Sequence, residues 1–193
     1  MVEAAYEVFT TRGYQGAAIS EVAALAGIGQ GTVYRYFGSK REILDHVVDF
    51  GIEKVMDTAR IAELVGTASS VEDLVDCVRA AVERLFALLE REPRLLRLLL
   101  VEAGAIDPEL AQRLLGLEGI AAAVVAGELA RGIQQGWIRP DIDPEVLGHT
   151  ILTLVGPGLL RELLGGGNPE ARIRNTAAVL RVLGKALSTR QAS

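Results

Sequence analysis

Apolar residues recur every three to four positions along almost the whole chain, and no stretch alternates apolar and polar with period two for long. That pattern predicts an all-α protein. Helix starts are marked by repeated signals. Asp107-Pro108-Glu109, Asp143-Pro144-Glu145 and Asn168-Pro169-Glu170 each combine a capping side chain, a proline whose missing N–H costs nothing, and an acid facing the positive helix end. Ser39 with Glu42, and Ser69 with Glu72, have the spacing of a capping box. Gly13, Gly27, Gly136 and Gly165-Gly166-Gly167 stand where helices should stop. The marks predict nine helices, near 2–12, 19–26, 30–37, 40–63, 71–91, 94–104, 108–135, 144–164 and 169–188. Three short helices precede a long fourth, so a two-domain architecture is expected, with an N-terminal domain over 1–45 and a larger helical bundle over 46–193. No flexible linker separates the two.

Composition narrows the class. The chain has 193 residues, half of them hydrophobic, which is enough to bury a core and excludes general disorder. A single cysteine, Cys77, allows neither an internal disulfide nor a Cys-rich zinc site, and fits a reducing, cytoplasmic setting. The apolar stretch 146–160 is interrupted by Gly148, His149 and Gly156-Pro157-Gly158, so no membrane span is expected there. Net charge is −5, yet residues 12–41 hold Arg12, Arg35, Lys40 and Arg41 against Glu21 alone. A local charge of +3 on a chain that is otherwise −8 is the pattern of a nucleic-acid-binding face.

Residues 18–38 put two short helices around a turn at Gly27, the sequence form of a helix-turn-helix. Val22, Ala26, Ile28, Val33 and Tyr36 supply apolar contacts at the required spacing, Ala23 is small where the helices cross, and Phe37 is expected in the core. An ordinary helical hairpin has the same spacing. The third helix favours the first reading, because Gln30, Gly31, Thr32, Tyr34, Arg35 and Tyr36 crowd polar and aromatic groups onto seven positions. Glutamine pairs with adenine edges, arginine with guanine, and a threonine methyl packs on the thymine methyl. Lys40 and Arg41 open the next helix, whose free N–H groups favour a phosphate.

Three segments together resemble the tetracycline-repressor (TetR) family: Phe9-Thr10-Thr11-Arg12-Gly13-Tyr14, Val22-Ala23-Ala24-Leu25-Ala26-Gly27-Ile28, and Gly31-Thr32-Val33-Tyr34-Arg35-Tyr36-Phe37-Gly38-Ser39-Lys40. The resemblance covers about residues 2–50. It implies a nine-helix homodimeric transcriptional repressor that binds a palindromic operator and releases it when a small molecule enters the C-terminal domain. It places Gln30, Gly31, Thr32 and Arg35 at base edges, and Tyr34, Tyr36 and Lys40 at backbone-contacting or supporting positions, with Tyr34 also packing. Two departures stand out. Ala17-Ala18 replace the usual Thr-Thr before the second helix, removing a cap and a phosphate contact that Ser20 could partly replace, and Gly29 stands where serine often precedes the recognition helix. The chain begins within the first predicted helix, so either its start lies upstream or the basic arm of many relatives is absent, and both are expected to lower the charge-driven part of affinity.

In the C-terminal part, Val71, Leu74, Val75, Val78, Val82, Leu85 and Leu89 form one apolar stripe of a core helix. The eighth helix carries no full charge from 146 to 160, and a helix apolar all round is expected to be buried all round. In a domain this small, that suggests a homodimer interface through Leu147, Ile151, Leu154 and Val155, joined by Ile173, Leu180 and Leu183 of the last helix. The basic residues Arg172, Arg174, Arg181, Lys185 and Arg190 read as a solvated face. Candidate ligand contacts are Cys77, Arg84, Phe86, Trp137, His149 and Thr153, polar or aromatic groups on apolar helices, each of which also fits a packing role. Pro157 is expected to kink its helix.

No metal spacing, phosphate-cradling glycine loop or nucleophile elbow occurs, so an enzyme is not expected, and no cofactor is implied. A helical ligand-binding or interaction protein with a weakened DNA module is the alternative.

Overall fold

The computed structural model describes residues 1–60, 63 and 66–188, and among these the regular structure is helical, without strands. Nine helices follow one another. They are α1 (Val2–Gly16), α2 (Ile19–Leu25), α3 (Gln30–Tyr36), α4 (Lys40–Ala59), α5 (Val71–Arg91), α6 (93–106), α7 (Pro108–Gln135), α8 (Pro144–Leu163) and α9 (Pro169–Leu187). α6 is interrupted by a π-helical turn at Leu98–Glu102. α1 loses helical geometry at Gly13, with φ 72° and ψ 158°, where the sequence places its stop. α4 ends at Ala59 instead of near 63, because Arg60 turns to φ 54°. The basic Arg190 lies outside the described residues.

Caps explain most boundaries. Asp143 Oδ1 accepts from the N–H groups of Glu145 and Val146, and Asn168 Oδ1 from those of Glu170 and Ala171. Asp107 Oδ1 accepts from Glu109 N–H. Ser39 Oγ accepts from Glu42 N–H, while the Glu42 carboxylate reaches one residue further back, to Gly38 N–H at 2.7 Å. The box expected from Ser69 and Glu72 is shifted by one residue. Asp73 N–H donates to Ser70 Oγ, and the Asp73 carboxylate accepts from Ser69 N–H and Oγ–H. Those bonds hold Asp73 below the usual carboxylate pKa.

By residue contacts the chain divides into two units, Met1–Val55 with Glu92–Leu114, and Met56–Arg91 with the chain from Leu115 onward. The first contains α1 to α3, most of α4, α6 and the start of α7. Its core includes Phe9, Val22, Val33, Ile43, Leu44 and Leu95, all fully enclosed. Gly51 lets α4 meet α6 closely, since a Cβ there would lie 2.9 Å from Leu95 Cδ1. Polar ties supplement the core. Tyr6 donates to the Glu92 carboxylate at 2.5 Å, and Lys54 reaches the same carboxylate at 2.7 Å. Burial and then Glu92 push the Tyr6 phenol well above its ordinary pKa.

The second unit holds α5, the rest of α7, α8 and α9. Leu74, Val78, Val82, Phe86 and Leu89 bury the expected face of α5. Gly148 brings α8 onto α7, and a Cβ there would stand 2.7 Å from the Ala122 carbonyl oxygen. A Gly148→Val protein is therefore expected to lose about 1–3 kcal/mol through overpacking. The melting temperature should fall by roughly 2–4 °C for each kcal/mol in a chain of this size. Thermal unfolding by circular dichroism checks this, and an unchanged midpoint would contradict the close packing.

α8 is not buried all round. Ile151 and Leu159 are enclosed, but Val146, Leu154 and Leu160 are exposed in the protomer. Neighbouring helices cover one face only. α8 continues as one helix through Pro157. α7 is long and apolar enough to cross a membrane by composition, yet it carries the enclosed Glu128, bonded to Gly66 N–H at 2.7 Å.

Candidate nucleic-acid interface and ligand cavity

The turn between α2 and α3 is built on Gly27 at φ 67°, a left-handed conformation that side-chain-bearing residues rarely adopt. Ile28 N–H donates back to Ala23 O at 3.0 Å, and Val22, Ala23 and Val33 lock the two helices from beneath. α2 starts without a side-chain cap at Ala18. Glu21 supplies the reciprocal half of a box by accepting from Ala18 N–H at 3.1 Å, and Ala17 is enclosed in the core. α3 likewise starts at Gly29 without a side-chain cap.

Burial of Val33 turns the other side of α3 to solvent. Gln30, Gly31 and Arg35 are exposed, and Thr32 is half-buried. Tyr34 is 50% exposed and Tyr36 63%, so neither packs in the core, against the expectation that both help to hold the motif. Phe37 takes the buried role instead, enclosed beside the ring of His46. The Arg35 guanidinium lies over the Tyr36 ring at 5.6 Å and has no carboxylate partner among the described residues. Lys40 sits over the Tyr14 ring at 4.7 Å and donates to Gln15 O, which fixes its ammonium at the start of α4. Ser20 is exposed.

The positive patch is smaller than the charge count implied. Arg41 is half-buried and paired with Asp45 at 2.6 Å and Asp107 at 2.7 Å. Arg12 pairs with Glu21 at 3.5 Å. Arg41 is thus a structural cation, and Asp107 is held below the usual carboxylate range by the Glu109 N–H bond first and by the Arg41 hydrogen bond and charge after it. Among the described residues, Arg35 and Lys40 remain as cations without a carboxylate partner. Asp45 and Asp49 are further matched by Arg113.

In the second unit, α5, α8 and α9 line an open-sided cavity of about 730 Å³. Of the six candidate ligand residues it collects Phe86 alone. His149 and Thr153 lie in a separate, open depression on α8, where His149 Nδ1 meets Glu145 O and the Thr153 hydroxyl donates to His149 O. Trp137 donates to Gln135 Oε1 and packs on Gly132, while Cys77 lies near Thr67 Oγ1. Arg84 is half-buried outside the cavity. Several residues expected at a dimer seam line the cavity: Ile151, Leu154, Val155, Leu180 and Leu183. Ile151, Leu180 and Leu183 are enclosed within the protomer, Leu147 and Val155 are half-buried, and Leu154 and Ile173 are exposed.

The polar cavity residues escaped the sequence reading. Arg172 is not on a solvated face. It pairs with Glu162 at 3.0 Å and Glu90 at 2.7 Å, and its guanidinium lies 4.9 Å from the centre of the Phe86 ring. An acid ten residues before it was the one available signal. Among the described residues no group of three or more His, Cys, Asp or Glu is placed to hold a metal ion.

A helix pair locked by a glycine turn and presenting one polar, cationic helix face, in a chain whose second unit holds a ligand-sized cavity, defines a helix-turn-helix DNA-binding regulator. Residues 1–47 match the model of the bacterial regulatory proteins of the tetR family. The chain is 28% identical over 171 residues to the HTH-type transcriptional repressor AcnR of Corynebacterium glutamicum, covering 88% of this chain and 83% of the relative. Similarity to the fatty acid metabolism regulator protein of Bacillus subtilis is 26% over 143 residues, 74% of this chain and 71% of that one. Among solved structures, a TetR-family regulator from Mesorhizobium loti aligns with a TM-score of 0.78 at 23% identity, over 97% of this chain and 95% of that one. FadR from Bacillus subtilis, solved in complex with stearoyl-CoA, aligns with a TM-score of 0.72 at 23% identity, over 96% and 97%. These two establish the shared fold.

Proposed function

We propose that this regulator is a homodimeric repressor that holds a palindromic operator and releases it when a small molecule fills the α5–α8–α9 cavity. Residues 1–45 act as the DNA-binding domain and 46–193 as the ligand-binding and dimerisation domain, at work in the cytoplasm. One observation carries the DNA reading: Gln30, Gly31 and Arg35 are exposed together on the side of α3 opposite Val33. Gln30, Thr32 and Arg35 read base edges, and Gly31 admits close backbone approach. Tyr34, Tyr36, Lys40 and Ser20 hold the phosphate backbone. Two recognition helices of a dimer then meet successive major grooves about 34–36 Å apart.

The homodimer reading is supported by apolar side chains left exposed on the last two helices, among them Val146, Leu160, Ile173 and Val182. The release mechanism is supported by chain continuity. α4 and α7 each carry residues of both units, and no Gly/Ser linker breaks either helix. By linkage, a ligand that weakens operator binding must bind the operator-bound protein more weakly by the same factor.

The test is a gel shift and footprint on the intergenic DNA upstream of the gene. A palindromic footprint is expected. Arg35→Ala should cost roughly 1–3 kcal/mol and relax preference at one base pair. Lys40→Ala should weaken all sequences alike and reduce the salt slope by about one. If Arg35→Ala leaves sequence preference intact, Arg35 does not read a base. If no fragment shifts in a salt-sensitive way, a ligand-binding protein with a weakened DNA module replaces this reading.

A further inference from the structure

The cavity has a chemical direction along its helices. Val78 of α5, Ile151 of α8 and Leu183 of α9 line one end with aliphatic groups, and Val82, Val155 and Leu180 continue that wall. Arg161, Glu162, Arg172, Asn175 and the turn at Gly166-Gly167 line the other end. From Arg172 to Leu183 along α9 the span is about 16 Å at 1.5 Å per residue. The lining therefore fits an extended aliphatic chain with a polar group at one end.

The charges at the polar end settle the sign of that group. Glu162 is 16% exposed and Glu90 is 60% exposed, and both are engaged by Arg172. Arg172 is thus consumed by the protein itself. Arg161 also lines the cavity, and among the described residues it has no carboxylate within ion-pairing distance. One uncommitted guanidinium at the polar end of the cavity is matched by one negative charge, and a guanidinium binds a carboxylate with two parallel N–H···O bonds. Cationic heads find both carboxylates already paired. A polyphosphate head would need several free cations, which this end does not offer.

We propose that the effector is an aliphatic monoanion, a free fatty carboxylate, with its head on Arg161 and the Asn175 amide and its tail between α5, α8 and α9. This rests on the cavity being the effector site. The turn at Gly166-Gly167 belongs to the head end. A Cβ at Gly166 would lie 3.3 Å from Arg161 Cγ, and one at Gly167 would lie 2.5 Å from Glu162 Cγ, so both glycines keep the two side chains in place.

The test titrates the full-length protein, below micellar concentrations, with laurate, dodecanol, dodecyltrimethylammonium and lauroyl-CoA, by calorimetry and by operator release. Laurate is expected to bind and release operator, with dodecanol and the ammonium compound at least about tenfold weaker, as loss of one charge-assisted pair requires. Arg161→Gln should remove laurate's advantage over dodecanol while leaving dodecanol binding unchanged, a result that a folding defect would not produce. The proposal is overturned if dodecanol or the ammonium compound binds as tightly as laurate, if lauroyl-CoA binds more tightly, or if Arg161→Gln retains the preference. It is also overturned if only a compound of another class, found by thermal shift, releases operator, an outcome that leaves the regulator reading standing. Failure of every compound to release operator would overturn the regulator reading together with it.

Discussion

A Val182→Glu protein is expected to sediment as a monomer at micromolar concentration and to lose operator affinity by roughly 10²–10⁴, the gain that linking two half-site contacts supplies. Val182 is 67% exposed on α9, so a carboxylate there is solvated in the folded protomer and should leave its melting curve almost unchanged. In a dimer joined through the last two helices the same carboxylate would enter an apolar seam without a partner, and an unpaired buried charge is costly enough to open it. Ile173→Glu, at an equally exposed position, should behave alike. The choice of position matters. Leu180 is 3% exposed within the protomer, so Leu180→Glu would unfold the chain and report nothing about association. Analytical ultracentrifugation with circular dichroism as control checks the expectation. A dimer that survives both substitutions would place the seam elsewhere.

Glu128→Ala is expected to destabilise the second unit by about 1–3 kcal/mol, the range for leaving a partly buried hydrogen-bonding partner unsatisfied. Glu128 is 3% exposed on α7, bonded to Arg131 at 2.5 Å and to Gly66 N–H at 2.7 Å, while Arg131 also donates to Ala68 O. Removing the carboxylate leaves Arg131 without its neutralising charge and strands the Gly66 donor. The Arg131 side chain keeps 25% of its surface in water, which favours the lower end of the range. Burial opposes the charge on Glu128, but the Arg131 hydrogen bond, the Gly66 N–H and the Arg131 charge outweigh it, and its pKa lies below the usual carboxylate value. A depressed folded-state pKa contributes stability that is complete above the unfolded value and disappears as pH falls through the folded one. The gap between parent and variant should therefore stay constant between about pH 6 and 8 and close in acid. Urea unfolding across pH measures it, and a gap that widens in acid would contradict the assignment.

The helix-turn-helix was legible because its determinants are local. Gly27 must take a left-handed turn, Val33 must face inward, and a seven-residue helix then has few ways to present Gln30, Gly31 and Arg35. The Pro-led caps at Asp107, Asp143 and Asn168 were readable for the same reason, since each donor lies within three residues of its acceptor. Pairings across the chain were not readable. Arg41 is withdrawn from the positive patch by Asp107, 66 residues away, and Arg172 is withdrawn from solvent by Glu90, 82 residues away.

Helical periodicity by itself determined how many helices form and which residue types line each one, because amphipathic spacing and caps act within a few residues. Only tertiary packing decided which apolar face is spent inside the protomer and which is left over. Ile151, Leu180 and Leu183 share one composition with Leu154, Ile173 and Val182, yet the first set is enclosed and the second exposed. Hydrophobic burial has no directional preference, so the sequence marks a residue as apolar without stating what covers it. The polar end of the cavity, with Arg172 consumed by two carboxylates and Arg161 left uncommitted, exists only once three separate helices have met.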